Sequence, residues 1–343
     1  MAKVNLLTIH WGNSYGGAMQ TYATVKILQD LGHDVRVINL VHPNTKLKYK
    51  YTSKSSLMNV LKDVQFTLFK KRHIGHFSKK MYCLDDRKIP LSDYTIVGSD
   101  QVWNSDITGP LKLSYFLDFA NQSVRLSLSS SFGKDIWEEK GDYTDFVKKE
   151  LSKFKAVSVR ENSGVRICQD VFGISAVQLP DPTLVCRNYE ELIKDNRPIN
   201  EIYPFLLKRT TATDSICDFV SQELQIPVYQ QNRFRIFFCR SPKEWLRRMK
   251  NSKIIITDSF HGLAFSLIFH KHFFVLCADE RKFTRLQSLL ELVHLEERYV
   301  ESLEDLMSRK ELIMKSIDYS VVDKILEVER SKYVGFVTSA MPK

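Results

Sequence analysis

The sequence predicts two α/β halves built on parallel strands, followed by a helical tail. Three observations lead there. Apolar runs of strand length alternate with helix-length stretches along the chain, which is the pattern of βαβ units. Polar residues gather where the apolar runs end, not in their middle. At 343 residues, the chain is long enough for two domains with separate cores. Hydrophobic residues make up 43% and charged residues 26%, the balance of an ordinary globular protein.

In the first half, residues 4–9 read as a strand, 17–31 as a helix and 35–40 as the next strand. Between the first two lies His10-Trp11-Gly12-Asn13-Ser14-Tyr15-Gly16-Gly17. Its glycines allow a tight turn and the close approach of a ligand to a helix N-terminus. The segment does not fit G-x-G-x-x-G, and no G-x-x-x-x-G-K-[ST] occurs in the chain. Neither a dinucleotide fingerprint nor an ATPase phosphate loop is therefore supported. Residues 94–97 form a strand that ends in Gly98-Ser99-Asp100-Gln101-Val102-Trp103-Asn104. A strand over 125–131, a helix over 143–154 and a strand over 156–159 follow, the last delivering Arg160 and Glu161 at its carboxyl end. Next come a helix over 165–171 and a turn at Leu179-Pro180-Asp181-Pro182-Thr183. The polar stretch 187–200 reads as the linker between domains.

The second half repeats the alternation. Strands are expected at 203–207, 228–230, 236–238, 253–256 and 273–276, and helices at 213–223, 242–249, 262–269 and 283–293. Residues 302–330 read as largely helical. The expected domains are 1–186 and 187–300, with the tail at 301–343. The informative stretch is 254–262. Three β-branched residues, Ile254, Ile255 and Ile256, make a buried strand, and Thr257, Asp258 and Ser259 are helix-opening residues. A strand end feeding a helix start is where open α/β sheets bind ligands, and its N–H groups favour an anion. His261 at that point is the best candidate for proton transfer.

Charge is concentrated. Lys and Arg total 50 against 40 acids, a net +10. Ten of those cations, with Asp63 as the one acid, fall between Lys46 and Lys80. A patch of this kind suits an anionic partner. Within the basic insert at 44–82, Leu57, Val60, Leu61, Val64 and Leu68 recur at helical spacing. Both a membrane-surface helix and a helix with a solvated basic face fit that pattern. No secretion signal or spanning apolar run is seen, and the six cysteines show no C-x-x-C spacing. The expectation is a cytoplasmic protein with reduced thiols, no disulfide framework and no zinc site.

Several motifs together resemble the polysaccharide pyruvyl transferase family. They are 10–22, 97–104 (VGSDQVWN), 129–133, 158–164 (SVRENSG), 181–183 (DPT), 257–262 (TDSFHG) and 281–292, in the family's order. The resemblance implies a glycosyltransferase-B type fold, with two Rossmann-like domains facing a cleft. It also implies transfer of pyruvate from phosphoenolpyruvate, as a ketal, onto a sugar of a cell-surface polysaccharide or its lipid-linked precursor. The family's His-Gly motif lands on His261 and Gly262, beside Ser259 and Phe260. Some relatives carry an arginine where Ser259 stands, so donor binding falls to Arg160, Arg281 or Arg285.

On this reading His261 is the general acid, Arg160 a donor-binding cation and Asp100 a base on the acceptor hydroxyl. Asn13, Gly16, Gly17 and Gln101 line the acceptor side. Each has a plainer alternative. Arg160 also suits an ion pair with Glu161, Asp100 and Asp258 suit helix caps, and Trp103 and Tyr15 suit a core. Phosphoenolpyruvate enters as co-substrate and no cofactor is expected, with metal dependence left open. The partners expected are that donor, a sugar acceptor carried on a lipid diphosphate, and an anionic membrane met peripherally through 46–80. The alternative enzyme is a nucleotide-sugar glycosyltransferase on the same fold. A non-catalytic binder of nucleic acid or glycan is disfavoured because the aromatic-interleaved pattern expected of base stacking is weak.

Overall fold

The computed structural model describes residues 1–47, 54–187, 189–230, 241–277 and 280–342, without the side chains of 46–47, 54–58, 86 and 280–283. The chain divides into one unit of Met1–Cys186 with Glu329–Lys343, and a second of Arg187–Val328. The expected tail is thus shared: 301–328 belong to the second unit and 329–343 to the first.

The first unit opens with β1 (Lys3–Leu7), α1 (Tyr15–Asp30), β2 (Asp34–Val37), α2 (Lys54–Phe69), β3 (His76–Phe77) and β4 (Tyr94–Val97). It continues through α3 (Ser105–Thr108), β5 (Val124–Ser127), α4 (Asp142–Leu151) and β6 (Phe154–Ala156). It closes with β7 (Ser158–Val159), α5 (Asn162–Asp170), β8 (Val177–Gln178) and α6 (Pro182–Val185). Among the described residues, six parallel strands make one sheet in the order β3-β2-β1-β4-β5-β6. That order is the Rossmann one. β1 is inside the sheet, which is why Val4 to Leu7 are all buried, Asn5 included.

The basic insert is part of this sheet. Its strand β3 pairs with β2 through Arg36–His76 and Val37–Phe77. Helix α2 precedes it and passes into a π-helical turn at Lys70–Ile74, which Gly75 ends at φ 100°. The stripe of α2 that recurs at helical spacing is not its buried face. Val64 and Leu68 are exposed, while Phe66 and Phe69 are buried. The larger aromatic side chains remove more apolar surface from water and take the inner side.

The second unit contains β9 (Ile199–Phe205), α7 (Thr211–Leu224), α8 (Pro242–Asn251), β10 (Ser252–Thr257) and α9 (Phe260–Ile268). After these come β11 (His272–Leu276), α10 (Glu280–Leu292), β12 (Tyr299–Val300), α11 (Leu303–Ser308) and the start of α12 (Tyr319–Ala340). Its four described strands are parallel, in the order β12-β11-β10-β9. Ile202, Ile254, Ile256, Phe274 and Leu276 form the core between the sheet and its helices. The strand expected at 228–230 is a single bridge, Ile202 to Val228, and the one at 236–238 lies outside the described residues. In the stretch expected as a linker, the described residues from 189 on are anchored: Tyr189, Leu192 and Ile193 are buried. Tyr189 meets Phe265 edge-on, with centroids 4.9 Å apart. The helical region at 302–330 breaks between α11 and α12, and α12 runs on to Ala340. Among the described residues no helix is long and apolar enough to cross a membrane.

Candidate functional site

The junction between β10 and α9 carries the TDSFHG sequence. Ile254, Ile255 and Ile256 bury their side chains at 2% exposure or less, and the strand stops at Thr257. The Thr257 hydroxyl donates to the Phe205 carbonyl at 2.7 Å and accepts from the Ser259 N–H at 3.1 Å. This bond pair turns the chain from strand to helix. Asp258 is not the helix cap that its sequence position suggests. Its two carboxylate oxygens accept the N–H groups of Leu207 at 2.6 Å and Lys208 at 3.0 Å, tying down the loop after β9. Ser259 holds the N-cap position with no side-chain cap bond.

Gly262 lies in the first turn of α9. A Cβ there would fall 2.0 Å from Thr257 Oγ1, 2.8 Å from Thr257 Cβ and 3.0 Å from Phe205 Cδ1. Only glycine lets the helix approach the strand end this closely. Phe260 and His261 are half-buried beside it, their rings nearly perpendicular at 87° and 5.4 Å between centroids. First-turn N–H groups cannot be met from within a helix, so Phe260, His261 and Gly262 direct N–H dipoles toward the strand end. Arg285 is half-buried on α10, which packs against α9. Arg281 starts the same helix, and its side chain is outside the described residues.

In the first unit the predicted residues form a different kind of site. Arg160 is buried at 6% exposure. Its Nε meets Glu161 Oε1 at 3.1 Å and its Nη1 meets Asp181 Oδ2 at 2.9 Å. Burial works against this guanidinium, but the carboxylates of Glu161, Asp181 and Asp100 more than offset it and hold its pKa above the ordinary arginine value. Ser131 donates to the same Glu161 oxygen at 2.7 Å, and Asp181 also accepts from the N–H and hydroxyl of Thr183. The ion pair weighed as the plainer alternative for Arg160 is present, with a second carboxylate that sequence spacing does not signal.

Asp100 sits at φ 73°, unusual for a residue with a side chain, and accepts the Gln101 N–H at 2.9 Å. Gln101 accepts from the Asn104 amide at 3.0 Å. It packs where a Cβ on Gly133 would stand, 2.1 Å away, so it joins the 97–104 and 129–133 motifs. Trp103 is a core residue: 2% exposed and stacked on Phe116 at 5.5 Å. Gly16 and Gly17 are buried in the first turn of α1, where the Gly17 N–H meets the Ser14 cap at 3.2 Å. Asn13 donates to Asp63 and lines a cavity of about 400 Å³ with His10 and Lys70. Sequence pattern marked Lys70 and Asp63 as members of the basic patch and His10 as part of the 10–22 motif, but not that the three line one cavity. Among the described residues no group of three or more His, Cys, Asp or Glu is placed to hold a metal ion.

Two α/β units, each on a parallel sheet, and a C-terminal helix are the elements of a glycosyltransferase-B type fold. The S. aureus MnaA–UDP co-structure aligns over 100% of this chain and 98% of its own, with a TM-score of 0.51 and 12% identity. The glycotransferase of kitacinnamycin aligns over 99% of both chains, with a TM-score of 0.48 and 10% identity. For the spinosyn rhamnosyltransferase SpnG the coverage is 99% of both, the TM-score 0.47 and the identity 9%. Likeness at this level is one of fold. Comparison with curated proteins by sequence gave no match. The polysaccharide pyruvyl transferase model matches residues 15–276, most of the chain, and the chain belongs to that family of enzymes.

Replacing Arg160 by alanine leaves Glu161 and Asp181 buried without their cation. Breaking such a pair costs about 3–5 kcal/mol, read as a lower midpoint in chemical denaturation. A loss below about 1 kcal/mol would return Arg160 to the set of ligand-binding cations.

Proposed function

We propose that the protein moves the pyruvyl group of phosphoenolpyruvate onto two hydroxyls of one sugar, forming a ketal and releasing phosphate. The observation that carries this reading is His261, half-exposed in the first turn of α9 at the carboxyl end of β10, in a chain of this family. The donor carries a carboxylate and a phosphate, so its site needs oriented N–H groups and cations. The first turn of α9 supplies the N–H groups, and Arg285 on the adjoining helix supplies a cation.

His261, protonated, gives its proton to C3 of the donor, and the electrons of the C2–C3 double bond form the new C–H bond. C2 becomes oxocarbenium-like. An acceptor hydroxyl bonds to C2 and passes its proton to the neutral imidazole. The bond from C2 to the phosphate oxygen then breaks, phosphate leaves with the electron pair, and a second hydroxyl of the same sugar bonds to C2 and closes the ketal, its proton passing to the departing phosphate. A placed general acid contributes about 10²–10⁴-fold. His261→Ala should therefore lower phosphate release by about that factor while the thermal midpoint stays near that of the parent. Full turnover by the variant would remove His261 from the chemistry. Phosphoenolpyruvate should also raise the thermal midpoint of the parent protein. Stabilisation by a sugar nucleotide alone would support a nucleotide-sugar glycosyltransferase instead.

An acceptor carried on a lipid diphosphate would bring the protein to a membrane surface. Helix α2 fits that placement, with Val64 43% and Leu68 37% exposed and Lys71 and Arg72 exposed just beyond them. Substituting both Leu68→Gln and Arg72→Gln should reduce co-sedimentation with anionic vesicles. Unchanged sedimentation removes the membrane contact from the proposal.

A further inference from the structure

The cavity of about 400 Å³ in the first unit is lined at the carboxyl ends of β1, β2 and β3 and by α2 with its π-helical turn. Three lysines, Lys70, Lys71 and Lys80, line it against one carboxylate, Asp63, which already accepts the Asn13 amide. Lys70 is half-buried. Burial first, and then Lys80, pull its pKa down to about 8 in spite of Asp63. The lining is therefore short of negative charge where a cation is poorly hydrated. Trp11, Phe66 and Phe77 add aromatic side chains to the wall.

His10 is a second, independent sign of a ligand. It lines the same cavity at 4% exposure, and its Nε2 has no hydrogen-bond partner among the described residues. Burial, with Lys70 and Lys80 nearby, lowers its pKa to about 3, while hydrogen bonding to the backbone at Ile38 works the other way. The ring is neutral at pH 7. A buried polar atom without a partner is costly, and a neutral imidazole nitrogen can accept a hydroxyl.

We propose that this cavity binds a phosphorylated sugar, with its phosphate at Lys70, Lys71 and Lys80 and its ring against Trp11, Phe66 and Phe77. A cavity of this size takes a drug-sized molecule, larger than phosphoenolpyruvate. The basic insert is then a substrate pocket built onto the sheet edge by β3. This deepens the pyruvyl-transfer reading by giving the phosphate-bearing acceptor of that reading a site in the first unit. The binding does not require that reading to hold.

The test is calorimetric titration of the full-length protein with glucose, galactose, mannose and N-acetylglucosamine, each free and as its 1-phosphate, and with inorganic pyrophosphate. At least one sugar phosphate should bind while its free sugar does not. Lys70→Gln and Lys80→Gln should each weaken that binding tenfold or more, and Lys253→Gln, on an exposed lysine of β10, should leave it unchanged. Stabilisation by phosphoenolpyruvate should survive in both cavity variants. A short-chain polyprenyl diphosphate sugar that binds more tightly than the free sugar phosphate would assign a lipid-linked source, and equal binding a soluble one. The proposal is overturned if no sugar phosphate binds, if pyrophosphate binds as well as every sugar phosphate, or if the cavity variants lose phosphoenolpyruvate as well. If the parent protein takes the sugar phosphate and ignores phosphoenolpyruvate, this site stands and the pyruvyl-transfer reading falls.

Discussion

The approach of α9 to the end of β10 depends on an absent methyl group. Any side chain at 262 would overlap the Thr257 hydroxyl, which is itself committed to the Phe205 carbonyl and the Ser259 N–H. With glycine there, the first turn of the helix rests on the strand end, and His261 is carried by two rigid elements instead of a loop. Asp258 fixes the neighbouring strand end through two backbone N–H groups. A histidine used for proton transfer needs that restraint, since catalysis is sensitive to small errors in position.

Polar strand ends do different work in the two units. In the second, hydrogen bonds at Thr257 and Asp258 shape the backbone and leave His261 partly accessible. In the first, Arg160 is enclosed with Glu161 and Asp181, and Gln101 and Asn104 close against Gly133. Several residues of the family motifs in that unit therefore hold loops together. The first unit's open, charged region is instead the cavity beside the basic insert, lined by one half-buried carboxylate and three lysines.

Much of the fold was legible in the sequence because it rests on local signals. Ile254 to Ile256 followed by Thr-Asp-Ser marks a strand feeding a helix, and the Gly-rich segment after β1 marks the start of α1. Pairings distant in the chain were not legible. Nothing near Arg160 points to Asp181, twenty-one positions on, because a turn sequence with two prolines reads only as a turn. In helix α2 periodicity picked out a stripe without saying whether it is buried: Val64 and Leu68 are exposed, and the bulkier Phe66 and Phe69 turn inward. The lysines of the insert were visible as charge. Their convergence on one cavity depends on a π-helical turn and a two-residue edge strand, neither of which has a sequence period.

The central claim is that His261 meets the reacting carbon of the donor, and a crystal structure with phosphoenolpyruvate bound tests it most directly. The account predicts C3 of the donor within about 3–3.5 Å of a His261 ring nitrogen, with an anionic group against the first-turn N–H groups of α9. A donor seated with C3 away from His261, or bound in the lysine-lined cavity of the first unit, would contradict it.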